Sequence, residues 1–247
     1  MRATLVTVVS LYGPKASPLR ELLEAIEVTL ARYLGDRFVP YSMDQVHGTL
    51  IVLGGYRDAA GEVVNEHYLD LRGERRVMDF GQVQRLLLDR LAEPLAIRIG
   101  GFGPPELDPF TSQGQHLHER SFSARAGSLV LMGWPVAAAE SAGRCQPLDA
   151  LRRSMADAGV LHRYHRGPAD VDDDFHLVVG HYATGAPAAT VQAAVAAVRA
   201  YLAARPIEVR IGAGQVRLLA ADSPTLAAPW FSAALPVPPA EVARLYR

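Results

Sequence analysis

Two short segments constrain this chain more than any others: Val46-His47-Gly48-Thr49-Leu50-Ile51-Val52-Leu53 and, far downstream, Phe175-His176-Leu177-Val178-Val179-Gly180. Each is apolar over the length of a strand and carries one histidine near its start, so each predicts a buried β-strand. Simple alternation places His47, Thr49, Ile51 and Leu53 on one face of the first strand, and His176, Val178 and Gly180 on one face of the second. A histidine with a hydroxyl two residues on joins an imidazole that moves protons near neutral pH to a donor for an oxyanion. A lone strand-end histidine is ordinarily bonded to backbone. Two on equivalent strands make a site.

An internal similarity argues for that equivalence. Pro94-Leu95-Ala96-Ile97-Arg98-Ile99-Gly100-Gly101 matches Pro206-Ile207-Glu208-Val209-Arg210-Ile211-Gly212-Ala213 in its proline, its β-branched residue and its Arg-Ile-Gly. Each follows a predicted helix, and each of those helices follows a histidine strand. The order histidine strand, helix, Arg-Ile-Gly strand thus occurs twice, as expected of a duplicated unit. The longer first copy places its excess in residues 54–78, a stretch without periodicity that reads as an exposed insertion, either a solvated loop or a lid.

The remaining elements follow from periodicity. Thr4–Tyr12 predicts a first strand closed by Gly13-Pro14, and the apolar positions from Leu19 to Leu34 predict a helix with Ser17 as N-cap and Pro18 at its first position. Asp79 and Gln82 resemble a capping box before a helix running to Pro94. Glu119–Ala126 and Ser128–Trp134 predict a hairpin turning at Gly127. Pro147 to Gly159 and Pro187–Ala204 predict helices, and Gln215–Ala220 and Pro229–Leu235 predict closing strands. The expected fold is α+β. A single bilobal domain over residues 1–247 would hold two pseudo-symmetric lobes, each a mostly antiparallel sheet backed by helices, with a cleft between them.

The pattern His-x-Thr-hydrophobic, a second histidine strand and a pseudo-duplicated α+β order together resemble the two-histidine (2H) phosphoesterase superfamily, which includes bacterial 2'-5' RNA ligase-like proteins and cyclic nucleotide phosphodiesterases. The resemblance covers most of the chain in element order, on motifs of four residues each. It implies a metal-independent phosphoesterase, without cofactor, acting on a 2',3'-cyclic phosphate or a 2'-5' phosphodiester of a nucleotide or RNA end. His47 and His176 would be its catalytic pair, one as general base and the other as general acid, in either order, and Thr49 a phosphate donor. Val178 departs from the pattern, since a Thr or Ser is expected there. That departure leaves a non-catalytic nucleotide- or RNA-end-binding protein as the alternative. Ser10, Tyr12, His181 and Tyr182 are candidate replacements for the missing hydroxyl.

Other polar groups compete. Arg120, Ser121 and Ser123 could clamp a phosphate, since arginine engages phosphate bidentately; an edge-strand loop accounts for them equally well. His116 with His118, or His162 and His165 with Asp172–Asp174, could ligate a metal, but lack a recognisable ligand spacing, so a solvated surface is the expected reading. Arg152, Arg153, Arg163 and Arg166 form a local basic run that could hold an RNA end or balance the acidic run after it. The formal net charge of −1 lacks the basic surplus of a protein that binds nucleic-acid backbones, double-stranded DNA included. With Cys145 as the single cysteine, no bilayer-spanning apolar run and an N-terminus read as a strand rather than a signal peptide, a cytoplasmic protein is expected.

Overall fold

The computed structural model describes residues 5–104, 106, 111–136 and 146–246; Thr4 and Cys145 lie outside them. The chain is α+β, as expected. It starts with strand β1 (Leu5–Ser10), helix α1 (Leu19–Leu34), β2 (Phe38–Pro40) and the first histidine strand, β3 (Gly48–Val52). A hairpin, β4 (Gly55–Arg57) with β5 (Val63–Asn65), leads to α2 (Glu66–Arg72), α3 (Phe80–Arg90) and β6 (Leu95–Ile99). Next come a small hairpin, β7 (Thr111–Ser112) with β8 (Gln115–His116), one helical turn α4 (Leu117–Arg120), and the pair β9 (Phe122–Arg125) and β10 (Ser128–Pro135). Helix α5 (Pro147–Ser154), the second histidine strand β11 (Phe175–Tyr182), α6 (Ala188–Ala204), β12 (Ile207–Ile211), β13 (Val216–Ala221), β14 (Phe231–Ala234) and α7 (Pro239–Ala243) complete it.

Ten strands form one antiparallel sheet in the order β12-β6-β10-β11-β3-β1-β13-β14, with β2 also on β11 and β9 also on β10. The two expected lobes are the two halves of this sheet. They meet where the histidine strands touch, at the single pair Leu177 and Gly48. The sheet is curled: β12 and β13 are six strand spacings apart, about 29 Å along a flat sheet, yet four residues join Ile211 to Val216 and reach at most about 18 Å.

Helices cover one face. The apolar stripes of α1 (Leu22, Leu23, Ile26, Leu30) and α6 (Val191, Val195, Val198, Leu202) share one core with Leu50 and Ile51 of β3, Leu177 of β11, and Leu87 and Leu151 of α3 and α5. Two smaller clusters occupy the other face. One is Val9, Leu219, Ala221 and Leu226 on the β1 half; the other is Phe102, Leu117, Met132 and Trp134 on the β10 half. Among the described residues no helix is long and apolar enough to cross a membrane.

Several sequence expectations need correction. The Arg-Ile-Gly strands β6 and β12 are not equivalent members of two lobes: they pair with each other, Arg98 opposite Glu208, at the edge of one half-sheet. The equivalence of the histidine strands rests instead on their neighbours. β3 pairs with β1 and skips Leu50; β11 pairs with β10 and skips Val179. Each is a β-bulge three residues after its histidine. The bulges also change the faces. Leu50 and Ile51 both turn to the core, leaving Val52 to follow Thr49 on the open face; the second strand behaves alike, with Gly180 opposite the core residue Leu129. Residues 54–78 are not a solvated loop, because Val63, Val64, Asn65 and Met78 are buried and Asn65 caps α2. Glu119 and Arg120 are in a helical turn rather than a strand, and Pro18, not Ser17, is the N-cap of α1. Asp79 caps α3 by accepting from the Gln82 amide, as its spacing indicated.

Candidate active site

His47 immediately precedes β3 and His176 is the second residue of β11. Counting from the Leu177–Gly48 pair, His176 stands opposite Thr49 and Val178 opposite His47. The two histidines are therefore diagonal neighbours across the junction of the half-sheets, a relationship that places Cα atoms roughly 7–8 Å apart. Their side chains, with those of Thr49 and Val178, line one cavity of about 280 Å³ on the open face. Gly48 makes the crossing possible. The ring of Phe175, fully buried, lies where a side chain at Gly48 would be.

The two imidazoles are held differently. Nδ1 of His47 donates to the Gln45 carbonyl at 2.7 Å, which leaves Nε2 to carry the lone pair when the ring is neutral. Burial pushes the His47 pKa below its ordinary value; the Gln45 bond opposes this and the Lys15 ammonium adds to it. Lys15 is itself buried, bonded to the Gly13 and Met43 carbonyls, with its pKa pushed down to about 8 chiefly by burial. Burial also lowers the His176 pKa; the carboxylates of Asp174 and Asp172 oppose it, while Arg152 and Arg120 reinforce it. His47 thus faces a cation, and His176 faces two carboxylates and two guanidinium groups.

Buried Arg152 braces the two strands. After their single pair β3 and β11 diverge, and a carbonyl without a ladder partner must find another donor. Arg152 supplies it, donating Nε to Leu50 O at 3.1 Å, Nη2 to Thr49 O at 3.1 Å, and Nη1 to Asp172 O at 2.8 Å and Asp174 O at 3.1 Å. The acidic run beside it is internal wiring. Asp172 receives His162 Nε2 at 2.6 Å and pairs with Arg152; Asp173 caps the start of α5 through Leu148 N and Asp149 N; Asp174 receives Trp134 Nε1, Ser112 and Arg120. His165 donates to Asp149, which also pairs with Arg153.

Of the basic run, Arg152 and Arg153 are tied to carboxylates, while Arg163 and Arg166 are exposed. His162 and His165 are not at a solvated surface: both are buried against carboxylates. His116 and His118 do not alternate along one strand, since β8 ends at His116 and His118 is in α4, donating to the Phe102 carbonyl. Among the described residues no group of three or more His, Cys, Asp and Glu is arranged to hold a metal.

The phosphate-binding residues expected from sequence separate. Thr49 is in the cavity, its hydroxyl without a protein partner among the described residues. Ser121 is buried and its hydroxyl donates to His118 O at 2.7 Å, so it faces no ligand. Tyr12 has its ring 6.2 Å from that of His47, but its hydroxyl donates to Leu226 O at 3.1 Å. Ser10 is spent likewise, on Gly48 O. Arg120 and Ser123 lie together in a second cavity beyond His176, and Arg120 is tied to Asp174 at 2.6 Å. Sequence reasoning missed Tyr41, which follows β2 outside any motif. Its amide donates to Val179 O at 3.0 Å, its side chain enters the cavity beside Val178, and its hydroxyl is 2.9 Å from Nε2 of His181. Tyr164 and Arg163, paired ring to guanidinium, form an exposed part of the same wall.

No protein-family model and no curated protein sequence matches this chain. In fold it is similar to two solved structures. One is TT0787 of Thermus thermophilus, at 16% identity and a TM-score of 0.43 over 94% of this chain and 95% of that one. The other is ATU0111, a conserved protein of unknown function from Agrobacterium tumefaciens str. C58, at 16% identity and a TM-score of 0.43 over 90% of this chain and 82% of that one. Likeness at this level says nothing of activity.

Proposed function

We propose that the chain is a phosphoesterase of the two-histidine type, hydrolysing a 2',3'-cyclic phosphate or 2'-5' phosphodiester of a nucleotide or RNA end by histidine acid–base catalysis alone. The observation that carries this is the placement of His47, His176 and Thr49 around one cavity at the Leu177–Gly48 pair, the only strand pairing between the half-sheets among the described residues. Both proton transfers of the reaction then have an imidazole, and no metal is needed to supply either.

The surroundings support one assignment of roles. His47 Nε2, its partner nitrogen fixed on Gln45 and its cationic form disfavoured by Lys15, takes the proton of the attacking water. The water oxygen bonds to phosphorus as the bond from phosphorus to the ribose oxygen breaks. His176, facing Asp172 and Asp174, gives that leaving oxygen its proton once the anionic phosphate is bound. Thr49 donates to a non-bridging oxygen. Tyr41 donates to another, in place of the hydroxyl missing at Val178: in the His181 tautomer whose Nδ1 accepts from Ser128 Oγ and whose Nε2 donates to Tyr41, the phenolic proton is left for the cavity. Donors aimed at developing phosphate charge are worth about 10²–10³ in rate each.

His47→Ala and His176→Ala should each lower turnover of a 2',3'-cyclic nucleotide by at least about 10²; unchanged turnover in both would sink the assignment. Val178 supports a second reading, a nucleotide- or RNA-end-binding protein of the same fold. Tight binding of a 3'-nucleotide, with no turnover across a panel of cyclic phosphates, would favour it.

A further inference from the structure

We infer that the second cavity, beyond His176, is a subsite for the neighbouring nucleotide and its phosphodiester, so that the ligand of this site is an oligoribonucleotide end rather than a mononucleotide. The inference rests on the histidine cavity being the phosphate site. The two cavities share His176 and Val130 as lining, and the second is the larger, about 500 Å³. A ligand with its terminal phosphate between His47 and His176 continues into it over Val130.

The chemistry of its walls is that of a nucleotide chain. Val130 and Met132 give an apolar floor, and Arg120, Arg125 and Arg199 surround it. Guanidinium planes and apolar side chains are surfaces on which single-stranded bases stack. Two of these arginines are fixed from behind, Arg199 by Nε donation to Phe122 O at 2.9 Å and Arg120 by Asp174 and Ser112. Arg125 is exposed and makes no ion pair among the described residues, and the Ser123 hydroxyl beside Val130 has no protein partner among them. The charge is specific as well. Among the described residues, three guanidinium charges less the carboxylates of Glu119, on the wall, and Asp174, behind Arg120, leave one positive charge. That matches the single negative charge of an internal phosphodiester. At the rim the Gln115 amide supplies a paired donor and acceptor of the kind that base edges require, while the Gln113 amide donates to Asp174 at 3.0 Å.

The test compares ligands of two lengths on the full chain. Affinities for adenosine 3'-phosphate and for the dinucleotide ApA ending in a 3'-phosphate are measured by calorimetry, together with turnover of the matching 2',3'-cyclic phosphates. The dinucleotide should bind at least about 10-fold more tightly, with a steeper loss of affinity as salt rises. Arg125→Ala combined with Ser123→Ala should bring the ratio of the two affinities towards one. Equal affinity for both lengths in the wild type, or a ratio indifferent to the double variant, overturns the subsite. Failure of the histidine site itself reads out separately, as cyclic-phosphate turnover that His47→Ala leaves intact.

Discussion

The ring of Phe175 occupies the space that a side chain at Gly48 would fill, so the residue before His176 and the residue after His47 are in direct contact across the two half-sheets. The glycine is where one strand lets the other pass. Both residues are buried and the ring has no room to turn aside. Gly48→Ala should cost about 1–3 kcal/mol by overpacking, read as a lower denaturation midpoint. Phe175→Leu alone should also destabilise, by leaving a void. The double variant should lose less than the sum of the two, the coupling expected of residues in contact. Strict additivity would show that the strands do not cross in this way.

Tyr41 and Val178 make a complementary pair of tests. On the proposed mechanism, Tyr41→Phe removes one of two hydroxyl donors to the phosphate and should lower kcat by about 10², with a smaller effect on KM. Val178→Thr restores the hydroxyl on the strand. It should leave the wild type little changed and recover most of the activity lost by Tyr41→Phe, because each then supplies the same donor from adjacent positions. A Tyr41→Phe enzyme that Val178→Thr does not rescue would mean that Tyr41 only packs against His181.

The histidine pair was legible because each histidine starts an apolar β-branched run, and the helices because their apolar residues recur at helical spacing. What sequence could not give is set by contacts distant along the chain. The similarity of β6 and β12 is real, but it describes two adjacent strands at one end of the sheet, each entered from a helix; which strands pair is decided by the sheet. The bulges at Leu50 and Val179 move residues between faces without any local signal in strict alternation. The acidic run and the arginines before it looked like surface charge, yet Arg152, Asp172 and Asp174 serve each other and the carbonyls that the diverging strands leave unpaired. Tyr41 belongs to no motif. Its place in the cavity comes from β2 pairing with β11, a contact 140 residues away in sequence at the Tyr41–His181 bond.

On the proposed mechanism, the pH dependence of turnover follows from the two imidazoles. Burial lowers the pKa of both. A base with a lowered pKa stays deprotonated further into acid, which moves the acid limb of the profile down. An acid with a lowered pKa loses its proton sooner as pH rises, which moves the basic limb down as well. The bell in kcat/KM, which reports the free protein, should therefore centre below the ordinary histidine value of about 6.5. Asp174→Asn removes an anion that favours protonated His176 and should move the basic limb lower still. A profile centred above about pH 7 would exclude these two buried imidazoles as the acid and base.

Stability should respond to pH through two buried groups of opposite sign. Burial pushes the His162 pKa down to about 4, so between that value and the ordinary 6.5 the unfolded chain binds a proton that the folded one does not; stability is lost as pH falls through this window. Burial pushes the Asp173 carboxyl up to about 6, and its Oδ2 has no partner among the described residues. Between the ordinary 3.8 and that value the folded chain holds the extra proton, so stability is gained as pH falls. Each effect amounts to roughly 3 kcal/mol at most, and over about pH 4–6 they run against each other, leaving these two groups little net effect. Asp173→Asn retains an oxygen to cap Leu148 and Asp149 and removes the titrating group. Denaturation midpoints of this variant should decline as pH is lowered from about 6.5 to 4, more steeply than those of the wild type. Parallel curves would show that the Asp173 carboxyl is not held protonated at the foot of α5.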